Sequence, residues 1–336
     1  MSQTAASQTV LDTLIIGAGP TGLSCGIEAQ RAGLRFLIVE KGALVDSIRR
    51  FPTNMVFFST AENLELGGIP FPSTHPRPTR QEALQYYRRV CEYFRLPVRL
   101  YTPVTSVARE GGLFRVSTAT GEEFSTRTVI VATGYFDQPN PLGIPGEELP
   151  HVTHYYTEPY GYVHTRVAVI GGRNSAVETA LELYRHNARV FLIHRRAQLG
   201  ESVKYWLKPD IENRIRRGEI QAFFETVVEE IQPRRIRLRE LPTGRQFWLE
   251  VDFVIAHTGY RPNAELLRSM GIRLDPHTLI PAYDPDTFET NVPGIYVAGS
   301  VVCGCETWNV FIENGRAHAL PIIGDIRRRY CPTAAP

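Results

Sequence analysis

LIIGAGPTGLSCG, residues 14–26, decides how the rest of this chain is read. It opens as a short apolar run, stops at glycines and continues with helical spacing. Gly17, Gly19 and Gly22 fit G-x-G-x-x-G, with Pro20 and Thr21 ahead of the last glycine. In such a turn the first glycine lets the chain leave the strand sharply. The second lets backbone approach a pyrophosphate, and the third lets the helix close on the strand. The N–H groups at the helix start then face the phosphates, helped by the helix dipole. Pro20 suits a first helical turn and Gly33 suits a stop. LRFLIVEK, residues 34–41, reads as a second buried strand, completing a strand–helix–strand unit with a parallel pair. Glu40 ends that strand, 18 residues after Gly22, where a carboxylate binds ribose hydroxyls, and Lys41 follows it. The plainer alternatives are a turn that needs glycine for shape alone and a solvated carboxylate at a strand end.

A second unit of the same kind spans TRVAVIGGRNSAVETALELYRHNARVFLIHRR, residues 165–196. Its turn, Gly171, Gly172, Arg173, Asn174, Ser175 and Ala176, has arginine where the middle glycine is usual and alanine where the last is usual. Asn174 and Ser175 are candidate caps for the helix. The strand ends without an acid, on His194, Arg195 and Arg196. A carboxylate there would repel a 2′-phosphate, whereas two guanidiniums bind one, which favours NADPH over NADH. The alternative is a solvated basic turn.

Between and after these units the pattern changes. IPFPSTHPRPTR reads as an irregular loop and QEALQYYRRVCEYF as an amphipathic helix. Residues 97–130 alternate, with turn signals at Gly111-Gly112 and Gly121-Glu122, as an antiparallel meander does. TVIVATGY closes on Thr133 and Gly134, DFVIAHTGY on Gly259, and YVAGS on Gly299 and Ser300. The two glycine turns form a weak internal repeat, and two nucleotide seats need two nucleotides. NADPH with a flavin is the economical pairing, since hydride passes directly between them.

The chain has 336 residues, 43% hydrophobic and 21% charged, which leaves room for two globular domains. Its formal net charge of +2 gives no electrostatic reason for a nucleic-acid or membrane partner. No apolar run approaches the ~20 residues that span a bilayer. MSQTAASQTV lacks the basic and apolar regions of a secretory signal, so a frayed lead-in and a cytoplasmic chain are expected. The five cysteines, Cys25, Cys91, Cys303, Cys305 and Cys331, are an odd, sparse set that argues against a disulfide framework. No metal site is expected.

The order GAGPTG, Glu40, ATG, GGRNSA, HRR, TGYRPN and GIYVAGS resembles the thioredoxin-reductase-like flavoproteins over nearly the whole chain. That resemblance implies an α/β protein of two Rossmann-like three-layer domains. FAD would lie on residues 1–137 and 265–336, an NADPH domain of residues 138–264 would be inserted between them, and the chain would form a homodimer. Thioredoxin reductase carries a C-x-x-C ahead of the second fingerprint; here that stretch is THYYTEPYG, with His154 and Thr157 in the cysteine places. An imidazole and a hydroxyl cannot form a disulfide, but His154 could donate a proton near neutral pH. GGRNSA, PTRQEALQYYRR, PGEELPHVTHYY, TGYRPN and FIENGRAHA resemble the bacillithiol disulfide reductase branch more closely. In that branch the proposed redox cysteine lies in the first glycine loop, where Thr21 stands here. Threonine is a poor substitute, because exchange needs a thiolate. Cys303 and Cys305, after the AGS turn, are the best internal candidates to replace it, and the plainer reading of each is burial without chemistry.

Three functions stay open at this point. One is an NADPH-dependent reductase of a small thiol disulfide, and another is a ferredoxin or flavodoxin reductase that needs no cysteine. The third is a flavin-binding sensor with little turnover. ATGYFDQPNPLGIPG is also similar to flavin monooxygenases, but no oxygenase fingerprint with its glycine-to-histidine spacing follows. The electron acceptor, a small molecule or a small protein, is not named by the sequence.

Overall fold

In the computed structural model, which describes residues 10–331, the opening stretch folds as strand β1 (Leu11–Ile16), a glycine turn and helix α1 (Pro20–Arg31). Of the lead-in read from residues 1–10, residues 1–9 lie outside the described residues. Pro20 takes the first helical turn, where a missing N–H costs nothing. Gly33 leaves the helix at φ +71°. β2 (Phe36–Val39) returns parallel to β1, with Leu14 opposite Leu37 and Ile16 opposite Val39.

A one-turn helix, α2 (Asp46–Arg49), precedes α3 (Arg80–Phe94). A capping box starts α3: the Glu82 N–H donates to the Thr79 hydroxyl, and the Thr79 N–H donates to the Glu82 carboxylate. Ala83, Tyr86, Tyr87 and Val90 form its buried face, and Cys91 beside them is half-buried. β3 (Val98–Arg99) extends the sheet beside β2. β4 (Val104–Glu110), β5 (Leu113–Thr118) and β6 (Glu123–Val131) are the expected antiparallel meander. The long β6 then runs parallel to β1, so Ala132, Thr133 and Gly134 emerge beside the first glycine turn.

β7 (Gln138–Pro139) leads to the middle of the chain. There β8 (Val152–Thr153), β9 (Arg166–Ile170), α4 (Asn174–Arg185), β10 (Arg189–Ile193), α5 (Lys208–Arg216) and β11 (Gln221–Phe223) follow. β12 (Thr226–Gln232), β13 (Arg235–Glu240) and β14 (Gln246–Glu250) form an antiparallel sheet, and β15 (Phe253–Ala256) rejoins the parallel one. The parallel order is β11-β10-β9-β15-β8. Strand alternation sorts the core into two layers. Val167, Val169, Val190 and Leu192 pack with Val177, Ala180 and Leu181 of α4. Ala168, Phe191 and Val254 pack with Ile236 and Leu238 of the antiparallel sheet.

β16 (Tyr260–Arg261), α6 (Ala264–Ser269), β17 (Ile295–Val297), α7 (Ile312–Gly315) and α8 (Ala319–Tyr330) complete the chain. β17 lies parallel to β6, Ile295 opposite Val129 and Val297 opposite Val131. Both ends of the chain therefore build one seven-stranded sheet. Asp325 of α8 is buried and accepts the Tyr296 hydroxyl at 2.7 Å, which ties the last helix to β17.

The chain divides into two compact units. The first runs up to Arg50, then Asn54–Gln138, then from Tyr260 on; the second comprises Phe51–Thr53 and Pro139–Gly259. Residues 260–264, expected with the inserted domain, thus belong to the first unit. Phe51–Thr53 join the second, where the Thr53 N–H donates to the Thr157 carbonyl at 2.7 Å.

Candidate functional site

The three glycines of the first turn serve different needs. A Cβ on Gly17, at φ +110°, would stand 2.5 Å from the Ala132 carbonyl oxygen, and one on Gly22 would stand 1.9 Å from the Gly17 carbonyl oxygen. Both are demanded by the protein's own backbone. A Cβ on Gly19 would meet nothing within 4 Å. Gly19 is the N-cap of α1 with no side-chain cap, so the helix start is open. A glycine not needed for the fold, facing open space at an uncapped helix start, fits a seat for a phosphate-bearing cofactor.

Glu40 is buried, which excludes the solvated strand end. Its carboxylate accepts the Ala18 N–H at 2.8 Å and the Gly42 N–H at 2.9 Å. Each oxygen keeps acceptor capacity for a hydroxyl. Lys41 pairs with Asp137 at 2.8 Å, and burial, with Arg50 nearby, lowers its pKa. Arg50 also pairs with Asp137, and with Asp46 at 2.9 Å. Asp46, Arg50 and Asp137 escaped the sequence reading, because Arg50 and Asp137 stand 87 residues apart and no local spacing links them.

The remaining turns of this unit gather at the carboxyl edge of β1, β6 and β17. A Cβ on Gly134 would lie 3.3 Å from the Ser300 hydroxyl, and one on Gly299, at φ +74°, would lie 2.7 Å from the Thr21 hydroxyl. A Cβ on Gly315 would lie 3.2 Å from the same hydroxyl. The Thr21 side chain is therefore walled by two glycines and closes α1 against the Gly299 turn.

No cysteine is poised as a thiolate. Cys303 is buried and donates to the Ser300 carbonyl at 3.0 Å, and burial pushes its thiol up. Burial also raises Cys305, with Arg261 only partly opposing it, and raises Cys91. It pushes Cys25 up to about 12 and Cys331 up to about 11. Of the two readings of Cys303 and Cys305, burial without chemistry is the one these shifts favour. Desolvation disfavours the charged form that exchange requires.

In the second unit, a Cβ on Gly171, at φ +145°, would meet the Ala176 Cβ and the His257 carbonyl oxygen, each at 2.9 Å. One on Gly172 would fall 2.4 Å from the His194 ring, which lies against this glycine. Burial, and then Arg196 and Arg195, lower the His194 pKa. The residue capping α4 is Arg173, without a side-chain cap, and not Asn174 or Ser175 as expected. The Asn174 amide instead donates to the Ser202 carbonyl at 3.0 Å and accepts the Lys204 N–H at 2.9 Å. With the Gly200 N–H on the Gly172 carbonyl at 2.8 Å, it holds residues 200–204 over the turn. Ser175 is exposed. Arg195 and Arg196 are exposed and have no ion pair among the described residues.

His154 is engaged on both ring nitrogens, with Glu147 at 2.9 Å and Thr258 at 3.3 Å. Burial opposes ionisation of Glu147, but the Leu142 and Gly143 N–H groups and His154 hold its pKa below the usual value. His257 is partly buried with its ring on the Thr179 hydroxyl at 2.9 Å, and desolvation brings its pKa down to about 4.

Residues 14–299 match the family described as pyridine nucleotide-disulphide oxidoreductase. The chain belongs to that family. It is an FAD-dependent oxidoreductase that draws on NADPH. The oxidoreductase is 38% identical over 318 residues to the bacilliredoxin reductase Bdr of Bacillus subtilis, covering 94% of this chain and 97% of that one. It superimposes on the bacillithiol disulfide reductase Bdr (YpdA) from Bacillus cereus with a TM-score of 0.93 at 38% identity, covering 96% and 100% of the two chains. The corresponding protein from Staphylococcus aureus gives 0.92 at 34% identity, covering 96% and 99%. No helix among the described residues is long and apolar enough to cross a membrane.

Proposed function

We propose that this oxidoreductase uses NADPH to reduce a low-molecular-weight thiol disulfide, bacillithiol disulfide first among them. One NADPH and one proton convert one disulfide to two thiols. The reading is carried by the unlike ends of the two glycine turns. One ends on a buried carboxylate with spare acceptor capacity, the other on two guanidiniums with no ion pair among the described residues. Gly17, Gly19, Pro20, Thr21, Gly22, Glu40, Lys41, Thr133, Gly134, Gly299 and Ser300 would hold FAD in the first unit. Gly171, Gly172, Asn174, Ser175, Ala176, His194, Arg195 and Arg196 would hold NADPH in the second. Bound FAD supplies a two-electron carrier between NADPH and the acceptor.

The chain's own residues bind and orient both nucleotides, and none supplies an ionised thiol. Reduction of the disulfide accordingly proceeds without a protein cysteine, and Thr21 serves closure of the seat. The choice of disulfide rests on the likeness to the two Bdr proteins. The family resemblance makes it a homodimer, and the five free thiols agree with a reducing compartment.

The test is anaerobic reduction with NADPH followed by a panel of acceptors: bacillithiol disulfide, other small disulfides, ferredoxin, quinones and oxygen. Fast bleaching of the flavin and turnover with bacillithiol disulfide are expected. Turnover with ferredoxin and none with any disulfide would replace this reading with the ferredoxin reductase one. Absence of bleaching would leave the sensor.

A further inference from the structure

His318 is the histidine of FIENGRAHA, at the start of α8, and it lies 19 residues beyond the Gly299 turn that it touches. Its Nδ1 accepts the Gly299 N–H at 3.1 Å. An acceptor Nδ1 requires the neutral imidazole, with the proton on Nε2. The ring is stacked on Phe288, centroids 4.1 Å apart and planes at 22°, and Phe288 is in turn stacked on Tyr283 at 5.7 Å and 9°. Phe288 has φ +60°, a conformation that disfavours an L-residue and persists where the surroundings hold it. Two backbone bonds hold it: its own N–H on the Asp284 carbonyl at 2.7 Å and the Val297 N–H on its carbonyl at 3.0 Å. The imidazole is thus braced from the strand that leads into the turn it binds.

The Gly299 turn has two walls. On one side the Thr21 side chain stands where a Cβ would be. On the other the backbone N–H points at His318. The segment carrying His318 is itself fixed to α1, since the Ser24 hydroxyl donates to the Arg316 carbonyl at 2.9 Å. We propose that His318 is a positioning residue that fixes the Gly299–Ser300 turn against the first glycine loop. The proposal rests on reading that turn as part of the FAD seat. What it adds is that the seat is held by an uncharged imidazole acceptor at a position no nucleotide motif includes. The residue works through the Gly299 N–H and need not touch the cofactor.

Two variants separate the acceptor from the ring. His318→Asn keeps an acceptor atom at the place of Nδ1 and loses the stack, whereas His318→Phe keeps the stack and loses the acceptor. The first readout is amide hydrogen exchange of the peptide containing Gly299 in the purified full chain. The second is the FAD dissociation constant by flavin fluorescence. In His318→Phe we expect exchange at Gly299 at least tenfold faster and FAD at least tenfold weaker. In His318→Asn both should stay within about threefold of the unmodified chain. Unchanged exchange and affinity in His318→Phe would overturn the proposal, as would equal losses in both variants. If the unmodified chain takes up no FAD, the cofactor assignment of the turn fails. The exchange measurement still decides whether His318 holds it.

Discussion

Gly19→Ala separates the fold from the cofactor seat. Gly19 has φ −73° and ψ 175°, which alanine adopts without strain, and its Cβ would have no neighbour within 4 Å. Two effects on the chain oppose each other. Lower entropy of the unfolded chain stabilises by ~0.4–1 kcal/mol. Alanine is a poorer N-cap than glycine, by up to about 1 kcal/mol. The net change in the cofactor-free protein should stay within about 1 kcal/mol, a few degrees in Tm. The added methyl fills the space before the open helix start, and overpacking a close contact costs ~1–3 kcal/mol. At about 1.4 kcal/mol per decade, FAD should bind roughly 5- to 150-fold more weakly. The assay pairs thermal unfolding of the cofactor-free protein with fluorescence titration of FAD. Gly22→Ala is the contrast: its Cβ would sit 1.9 Å from backbone oxygen, so that variant should fail to fold. Wild-type FAD affinity in Gly19→Ala, or loss of its fold, would refute the division of roles among the glycines.

Changing Arg195 and Arg196 together to alanine should raise the Michaelis constant for NADPH and spare NADH, each charged bond to a 2′-phosphate being worth ~1.5–3 kcal/mol; equal use of both nucleotides by the unmodified enzyme would reject this. Replacing all five cysteines by serine should leave NADPH-dependent disulfide turnover within about twofold, because desolvation holds these thiols in their unreactive form; a collapse of turnover with flavin reduction intact would restore a thiol relay. Thr21→Val should leave flavin reduction nearly intact, while Thr21→Leu, pressed on Gly299 and Gly315, should destabilise by ~1–3 kcal/mol; equal behaviour of the two in thermal unfolding would count against the walled position. The Thr79 N–H holds the Glu82 carboxyl at about 2 in the folded chain. Its contribution is therefore present above the ordinary carboxylate range and lost as pH falls towards 2, so Glu82→Gln should flatten the acid limb of stability against pH; an unchanged limb would deny the capping box that role.

The two strand–turn–helix units were legible because their determinants are local. Glycine spacing, the proline after the first turn, alternation in the meander and the capping box before α3 all act over a few residues. The placement of Glu40, Arg195 and Arg196 just past strand ends was legible for the same reason. Where each side chain points depends instead on partners far along the chain. Asn174 looked like a cap, and its amide holds residues 200–204. Thr21 looked like a vacancy for a thiol, and it fills the gap between Gly299 and Gly315, nearly 300 residues away. Cys303, after the AGS turn, was open to a reactive or a buried reading, and only the folded chain shows it buried with its thiol on the Ser300 carbonyl. His318 stood inside FIENGRAHA, but the motif gave it no role. Its acceptor nitrogen acquires meaning only when α8 and the Phe288 stack deliver it to the Gly299 N–H, because a hydrogen bond depends on position in space and sequence spacing reports only position along the chain.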